Sequence, residues 1–105
     1  MREEKTEKDH YYHIYNRGIN GGLIFKREDN ILYFITLMEK HFAEKINILA
    51  YRLLSNHFYF AVQILVNNKY ASQTFSNFFN AYAKAFNKQI NRTGTLLRDL
   101  FIALK

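Results

Sequence analysis

The sequence predicts an α+β domain, an antiparallel sheet with helices packed on one face. Three observations carry the prediction. Apolar residues recur at every second position in some stretches and at every third or fourth in others, the two periods of strands and helices. These stretches follow one another as strand, helix, strand, strand, helix, strand. The chain has 105 residues, 49% hydrophobic and 17% aromatic, which is material for one core and no more.

Residues 1–10 (MREEKTEKDH) are almost wholly polar and predict a charged, flexible leader, with residues 11–105 forming the domain. Tyr11 to Asn16 (YYHIYN) is aromatic and β-branched, the composition of a strand. Arg17-Gly18-Ile19-Asn20-Gly21-Gly22 supplies a flexible loop. From Asp29 to Ala43 the spacing of Ile31, Phe34, Ile35, Met38 and Phe42 places them on one face of a helix, a stripe expected to pack on a sheet.

Ile46 to Leu54 and His57 to Val66 are strands joined by the short polar pair Ser55-Asn56, the pattern of a hairpin. In the second of them Phe58, Phe60, Val62, Ile64 and Val66 alternate with His57, Tyr59, Ala61 and Gln63. The first set is a core face, and the second is the face on which chemistry can sit. A second helix is predicted from Ser72, as N-cap, to Asn91, with Gly94 as terminator. Its apolar stripe is Phe75, Phe79, Tyr82 and Phe86, which makes Tyr82 a core residue, while Lys84, Lys88 and Arg92 recur every four residues on another face. Thr95 to Leu104 closes the chain as a last strand. The resulting β-α-β-β-α-β order is that of a ferredoxin-like fold, a scaffold that carries many unrelated activities.

Charge narrows the function. Lys and Arg number 15 against 9 Asp and Glu, for a net charge of +6, and such a balance gathers polyanions. The absence of Cys excludes disulfides and thiolate metal sites. No apolar run approaches the ~18 residues of a membrane span, and the first ten residues lack the apolar core of a signal peptide. The expectation is a cytoplasmic protein with no membrane partner.

Tyr12-His13-Ile14-Tyr15-Asn16-Arg17-Gly18, then Ala50-Tyr51-Arg52-Leu53-Leu54-Ser55-Asn56-His57-Phe58-Tyr59, then Tyr82 to Gly94 (YAKAFNKQINRTG) followed by Leu96, together resemble the single-domain tyrosine transposases of small insertion sequences. The similarity is greatest to the branch called REP-associated tyrosine transposases. The resemblance implies an enzyme of the HUH class, which cuts single-stranded DNA beside a hairpin and keeps the cut end as a phosphotyrosine. It also implies a divalent ion, Mg²⁺ or Mn²⁺, held by a His-hydrophobic-His pair on a central strand and polarising the scissile phosphate.

This chain departs from that pattern. His57 matches the first metal histidine, but Tyr59 occupies the position of the second, and a neutral phenol is a poor ligand for such a cation. Ser55 stands where proline is frequent and Leu100 where arginine is frequent. The nucleophilic tyrosine of the family lies on a helix downstream, and this sequence ends at Lys105. The expectation is therefore a truncated or degenerate domain that is not catalytic alone. Its metal site would be weak or absent, built on His57 with Gln63 as a further oxygen donor. DNA, single-stranded or hairpin, would be held by Asn16, Arg17 and the amides of the glycine loop, and by Lys84, Lys88 and Arg92, with exposed tyrosines stacking on bases. The alternatives are a non-enzymatic nucleic-acid-binding module and a homodimeric structural domain that covers surplus apolar surface.

Overall fold

The computed structural model describes residues 5–98 and 101–104. β1 (Tyr11–Arg17) leads through a 3₁₀ turn (Ile19–Gly21) to α1 (Glu28–Phe42). The hairpin β2 (Ile46–Leu54) and β3 (His57–Ile64) follows, then α2 (Asn68–Gln89) and β4 (Phe101–Leu104). The strands form one sheet in the order β2-β3-β1-β4, and each neighbouring pair is antiparallel. The expected α+β class, with both helices on one face, is the observed one.

The core is a network of aromatic rings between that face and the helices. Phe34, in the middle of α1, is the hub. Its ring meets Phe25 and Tyr82 edge-on, with centroids 5.1 and 4.9 Å away, and also reaches Phe58 and Phe78. Edge-to-face contacts of this kind add to the free energy of apolar burial. Tyr82 is buried in this network as its periodicity predicts, and its hydroxyl donates to the carbonyl of Ile24. Burial, with a smaller contribution from Asp29, raises its pKa far above that of an ordinary phenol, so it stays protonated and serves packing.

The helix stripes are read almost correctly. Phe34, Met38 and Phe42 of α1 are buried, but Leu37 joins them while Ile31 and Ile35 are only partly covered. In α2, Phe78 is fully buried and Phe79 takes a flanking position. Asn30 is a polar member of the core. Its Oδ1 accepts from the amides of Lys26 and Arg27, both at 2.9 Å, and its Nδ2 donates to Gln89 at 2.6 Å. One carboxamide thus caps the start of α1 and ties it to the end of α2.

Of the boundaries that differ from expectation, those of α2 and the last strand differ most and have a local reason. α2 starts at Asn68 because Asn67 is its N-cap, with Oδ1 accepting from the amide of Tyr70 at 3.1 Å; Ser72 is an exposed residue inside the helix. Its end is set by Asn91, which takes the left-handed conformation (φ 56°) before Gly94 does so in the following turn (φ 88°). The last strand is shorter than Thr95 to Leu104. Leu97 makes only an isolated bridge to Gly18, and pairing with β1 begins at Phe101. Leu100 and Lys105 lie outside the described residues.

The leader is not a free tail from Lys5 onward. Thr6 is buried, and its amide and hydroxyl both donate to Asn68 Oδ1, at 3.1 and 2.9 Å. The amide of Glu7 donates to the Tyr12 hydroxyl at 2.7 Å, and that of Asp9 to the Ile64 carbonyl at 2.6 Å. Charge composition marks the segment as solvated, but acceptors on α2, β1 and β3 dock its backbone. Residues 1–4 lie outside the described residues.

Candidate functional site

The helices cover one side of the sheet and leave the other open. On β1 the open side carries Tyr11, His13, Tyr15 and Arg17, and on β3 it carries His57, Tyr59, Ala61 and Gln63. Register fixes the neighbours: Tyr15 lies opposite Tyr59 and Arg17 opposite His57. On the other flank of β3, Arg52 lies opposite Tyr59 and Leu54 opposite His57. A bulge between Ile48 and Ala50 brings the second half of β2 into this register, so that Arg52 shares the open face.

Four rings interact diagonally across β1 and β3. His13 and Tyr59 have centroids 5.4 Å apart, and the Tyr59 hydroxyl is hydrogen-bonded to His13 Nδ1. Tyr15 and His57 have centroids 5.8 Å apart. Beside them Tyr15, Arg52, Leu54, His57 and Tyr59 line a depression of about 250 Å³. None of the nine acidic residues of the sequence falls within the four strands. The face is therefore basic and aromatic, and among the described residues its strands carry no carboxylate beside Arg17 or Arg52.

The metal expectation meets this geometry badly. His57 Nδ1 donates to Asn56 Oδ1 at 2.9 Å, which directs the lone pair of the neutral ring to Nε2. Its neighbour on the same face, Tyr59, is engaged with His13. Gln63 lies six residues from His57 along one strand, a separation of roughly 20 Å at about 3.3 Å per residue, so the two cannot share an ion. His13 pairs with Ala61 in register, which puts it roughly 13 Å along the strands from His57 by the same rise. Among the described residues no group of three His, Cys, Asp or Glu converges. The described residues around His57 do not fit a divalent ion.

The expected phosphate contacts are redistributed as well. Asn16 faces the helices, is buried, and accepts the amide of Arg17 with its Oδ1 at 2.8 Å; it cannot reach DNA. The glycine loop offers few free amides. Those of Gly18, Ile19, Gly21 and Gly22 donate to carbonyls of Asn56, Leu96, Gly18 and Ile19. A Cβ on Gly18 would stand 2.0 Å from the Gly22 carbonyl oxygen, so the glycine is required by close packing and not by a ligand. Arg92 lies beyond α2 and folds back, donating to Asn87 Oδ1 at 2.9 Å and to the Thr95 carbonyl at 2.7 Å. Lys84 and Lys88 are exposed, on the part of α2 turned away from its buried stripe. They share no surface with His57. Of the expected basic residues, only Arg17 belongs to the open face.

The three stretches that carry the sequence resemblance meet at one end of the sheet. The Gly18 amide donates to the Asn56 carbonyl at 2.9 Å, and the Ile19 amide to the Leu96 carbonyl at 2.9 Å. Ser55, at the hairpin tip, accepts from the amides of Ile24 and Phe25 at 2.8 and 3.1 Å. No protein-family model matches the chain, and no curated protein matches it. The assignment of function therefore rests on the residues themselves.

Sequence reasoning passed over Tyr15 and Arg52 as binding residues. The signal for Arg52 was present. A two-residue hairpin loop makes Leu54 and His57 partners, and two steps further places Arg52 across from Tyr59. The signal for Tyr15 was absent, because the pairing of β1 with β3 joins segments more than forty residues apart.

Proposed function

We propose that this chain is a transposase-type DNA-binding domain that holds single-stranded or hairpin DNA on the open face of its sheet and does not nick it by itself. The observation that carries the reading is the grouping on the open face, where Arg17 and Arg52 flank the rings of His13, Tyr15, His57 and Tyr59 on strands without acidic residues. Arginines of this kind bind phosphate through planar, charge-assisted hydrogen bonds, and exposed rings stack on unpaired bases. The convergence of the three resembling stretches supports the transposase origin. Binding is expected to need no Mg²⁺ or Mn²⁺, because among the described residues Tyr59 and the spacing of Gln63 give His57 no second ligand.

Fluorescence anisotropy of labelled single-stranded, hairpin and duplex DNA, at two salt concentrations and with or without Mn²⁺, tests this. The expected result is preference for unpaired or hairpin DNA, weakening with salt and indifferent to Mn²⁺. Equal weak binding to all three DNAs would remove the reading. Enhancement by Mn²⁺ would restore His57 as a ligand.

A second reading is favoured by a separate observation. β2 is an edge strand, and Leu49 and Tyr51 upon it are 46% and 47% exposed. Arg52 is its only charged residue, which leaves little to oppose edge-to-edge pairing with a second copy. A homodimer in sedimentation equilibrium that Leu49→Lys dissociates would support self-association; a monomer at all concentrations would end it. No helix among the described residues is long and apolar enough to cross a membrane.

A further inference from the structure

The open face has a finer grain than a basic surface. Its rings are staggered, because each pair joins residues one diagonal step apart across β1 and β3 and not residues directly opposite. His13–Tyr59 and Tyr15–His57 are tilted by 32° and 42° between ring planes. The Tyr59 hydroxyl is held by His13, and His57 is held by Asn56, so both rings are oriented before any ligand arrives. The depression of about 250 Å³ lies against the Tyr15–His57 pair and is lined as well by Tyr59 and by Arg52 and Leu54 of the neighbouring strand.

We propose that this depression is a seat for one unpaired nucleotide, with its base lying against Tyr15 and His57 and its phosphate on Arg52. The proposal rests on the DNA-binding reading and names the ligand element that the face selects. A concavity with apolar and aromatic walls and one guanidinium at its rim matches a flat base joined to a phosphate. In a duplex the faces of the bases are stacked on one another, and only their edges reach the grooves, so they cannot enter. Arg17, opposite His57, stands at the end of β1 to take the phosphate of the adjoining nucleotide.

The experiment measures anisotropy of labelled dT12, dU12, U12 and a 12-base-pair duplex against the whole chain and three variants: Tyr15→Leu, Tyr15→Phe, and Lys84→Ala with Lys88→Ala. Tyr15→Leu is expected to weaken dT12 binding about five- to a hundredfold, the range for loss of one stacked base, and Tyr15→Phe to retain it. Duplex binding and the melting temperature are expected to move little, and the double lysine variant to bind dT12 nearly as the parent does. U12 set against dU12, which differs from it only in the sugar, separates the sources: equal affinity means a seat blind to the sugar, and weaker binding of U12 assigns it to DNA. If the parent binds dT12 and Tyr15→Leu binds it equally well, the seat is wrong and DNA binding survives. If the parent binds no oligonucleotide, both fail. Should Tyr15→Leu not fold, titration of the parent with dT4 by NMR decides, since shifts confined to residues away from Tyr15, His57 and Arg52 would overturn the seat.

Discussion

Phe58 and Tyr59 are neighbours in sequence and occupy opposite worlds. Phe58 is fully buried beneath Phe34 and Phe79, whereas Tyr59 looks out from the open face with its hydroxyl on His13. The same contrast runs along the sheet. The helix side is filled mostly by Phe rings, with the few buried hydroxyls, such as that of Tyr82, given to fixed partners, and the open side presents Tyr and His, whose rings are apolar and whose edges are not. One kind of ring thus serves two ends, cohesion on one face and exposed, oriented stacking surface on the other. The difference is the polar atoms at the ring edge, one in Tyr and two in His, repeated at a period of two.

Substitutions on the two faces are expected to separate stability from binding. The largest effect belongs to the closed face. Phe34→Ala removes the ring at the centre of the network and is expected to cost about 3–5 kcal/mol in denaturant unfolding. The protein that remains folded should bind single-stranded DNA with unchanged affinity. A loss of affinity as large as the loss of stability would mean that the faces are not independent. On the open face, Arg17→Ala with Arg52→Ala is expected to lower the slope of log affinity against log salt by about 1.4, the value for two single-strand phosphate contacts. The midpoint of unfolding should stay close to that of the parent. An unchanged slope would move the phosphates elsewhere.

Smaller effects test the frame that holds the two faces. Asn67→Ala removes the N-cap of α2 and is expected to cost about 1 kcal/mol of stability, measured by thermal or denaturant melting. Asn67→Ser should recover most of it. The smallest effect concerns pH. His41, near the end of α1, has its pKa lowered from 6.5 by burial and by Lys40 and Lys45. The folded state thus takes up its proton less readily than the unfolded state. The stability tied to neutral His41 is present above about pH 6.5 and declines as pH falls through the lowered folded value. Unfolding midpoints taken from pH 7.5 to 5.0 should fall less steeply for His41→Gln than for the parent.

Much of this was legible in one dimension. Alternation in His57–Ile64 sorted core from open face, and Ser55-Asn56 announced the hairpin. The docking of Thr6 on Asn68 was not legible, since the fold alone brings the two together, nor was the burial of Asn16, which comes from the helices covering its face. Arg92 folds back on near neighbours, and the turn that allows it is what the helical spacing missed. Polar residues are read as exposed until a specific acceptor claims them.

Local periodicity and residue type were enough to give the class of element at each stretch and the composition of the two faces of the hairpin, whereas the start of β4 at Phe101 came from pairing with β1. Only the tertiary structure decided which open-face residues stand together. The offset between β1 and β3 sets Tyr15 beside His57 and keeps His13 too far from His57 to share an ion. That offset comes from packing Tyr12, Ile14 and the β3 core face under the helices. A shift of one residue would turn every buried ring outward, and so the core, not the site, chooses the site's neighbours.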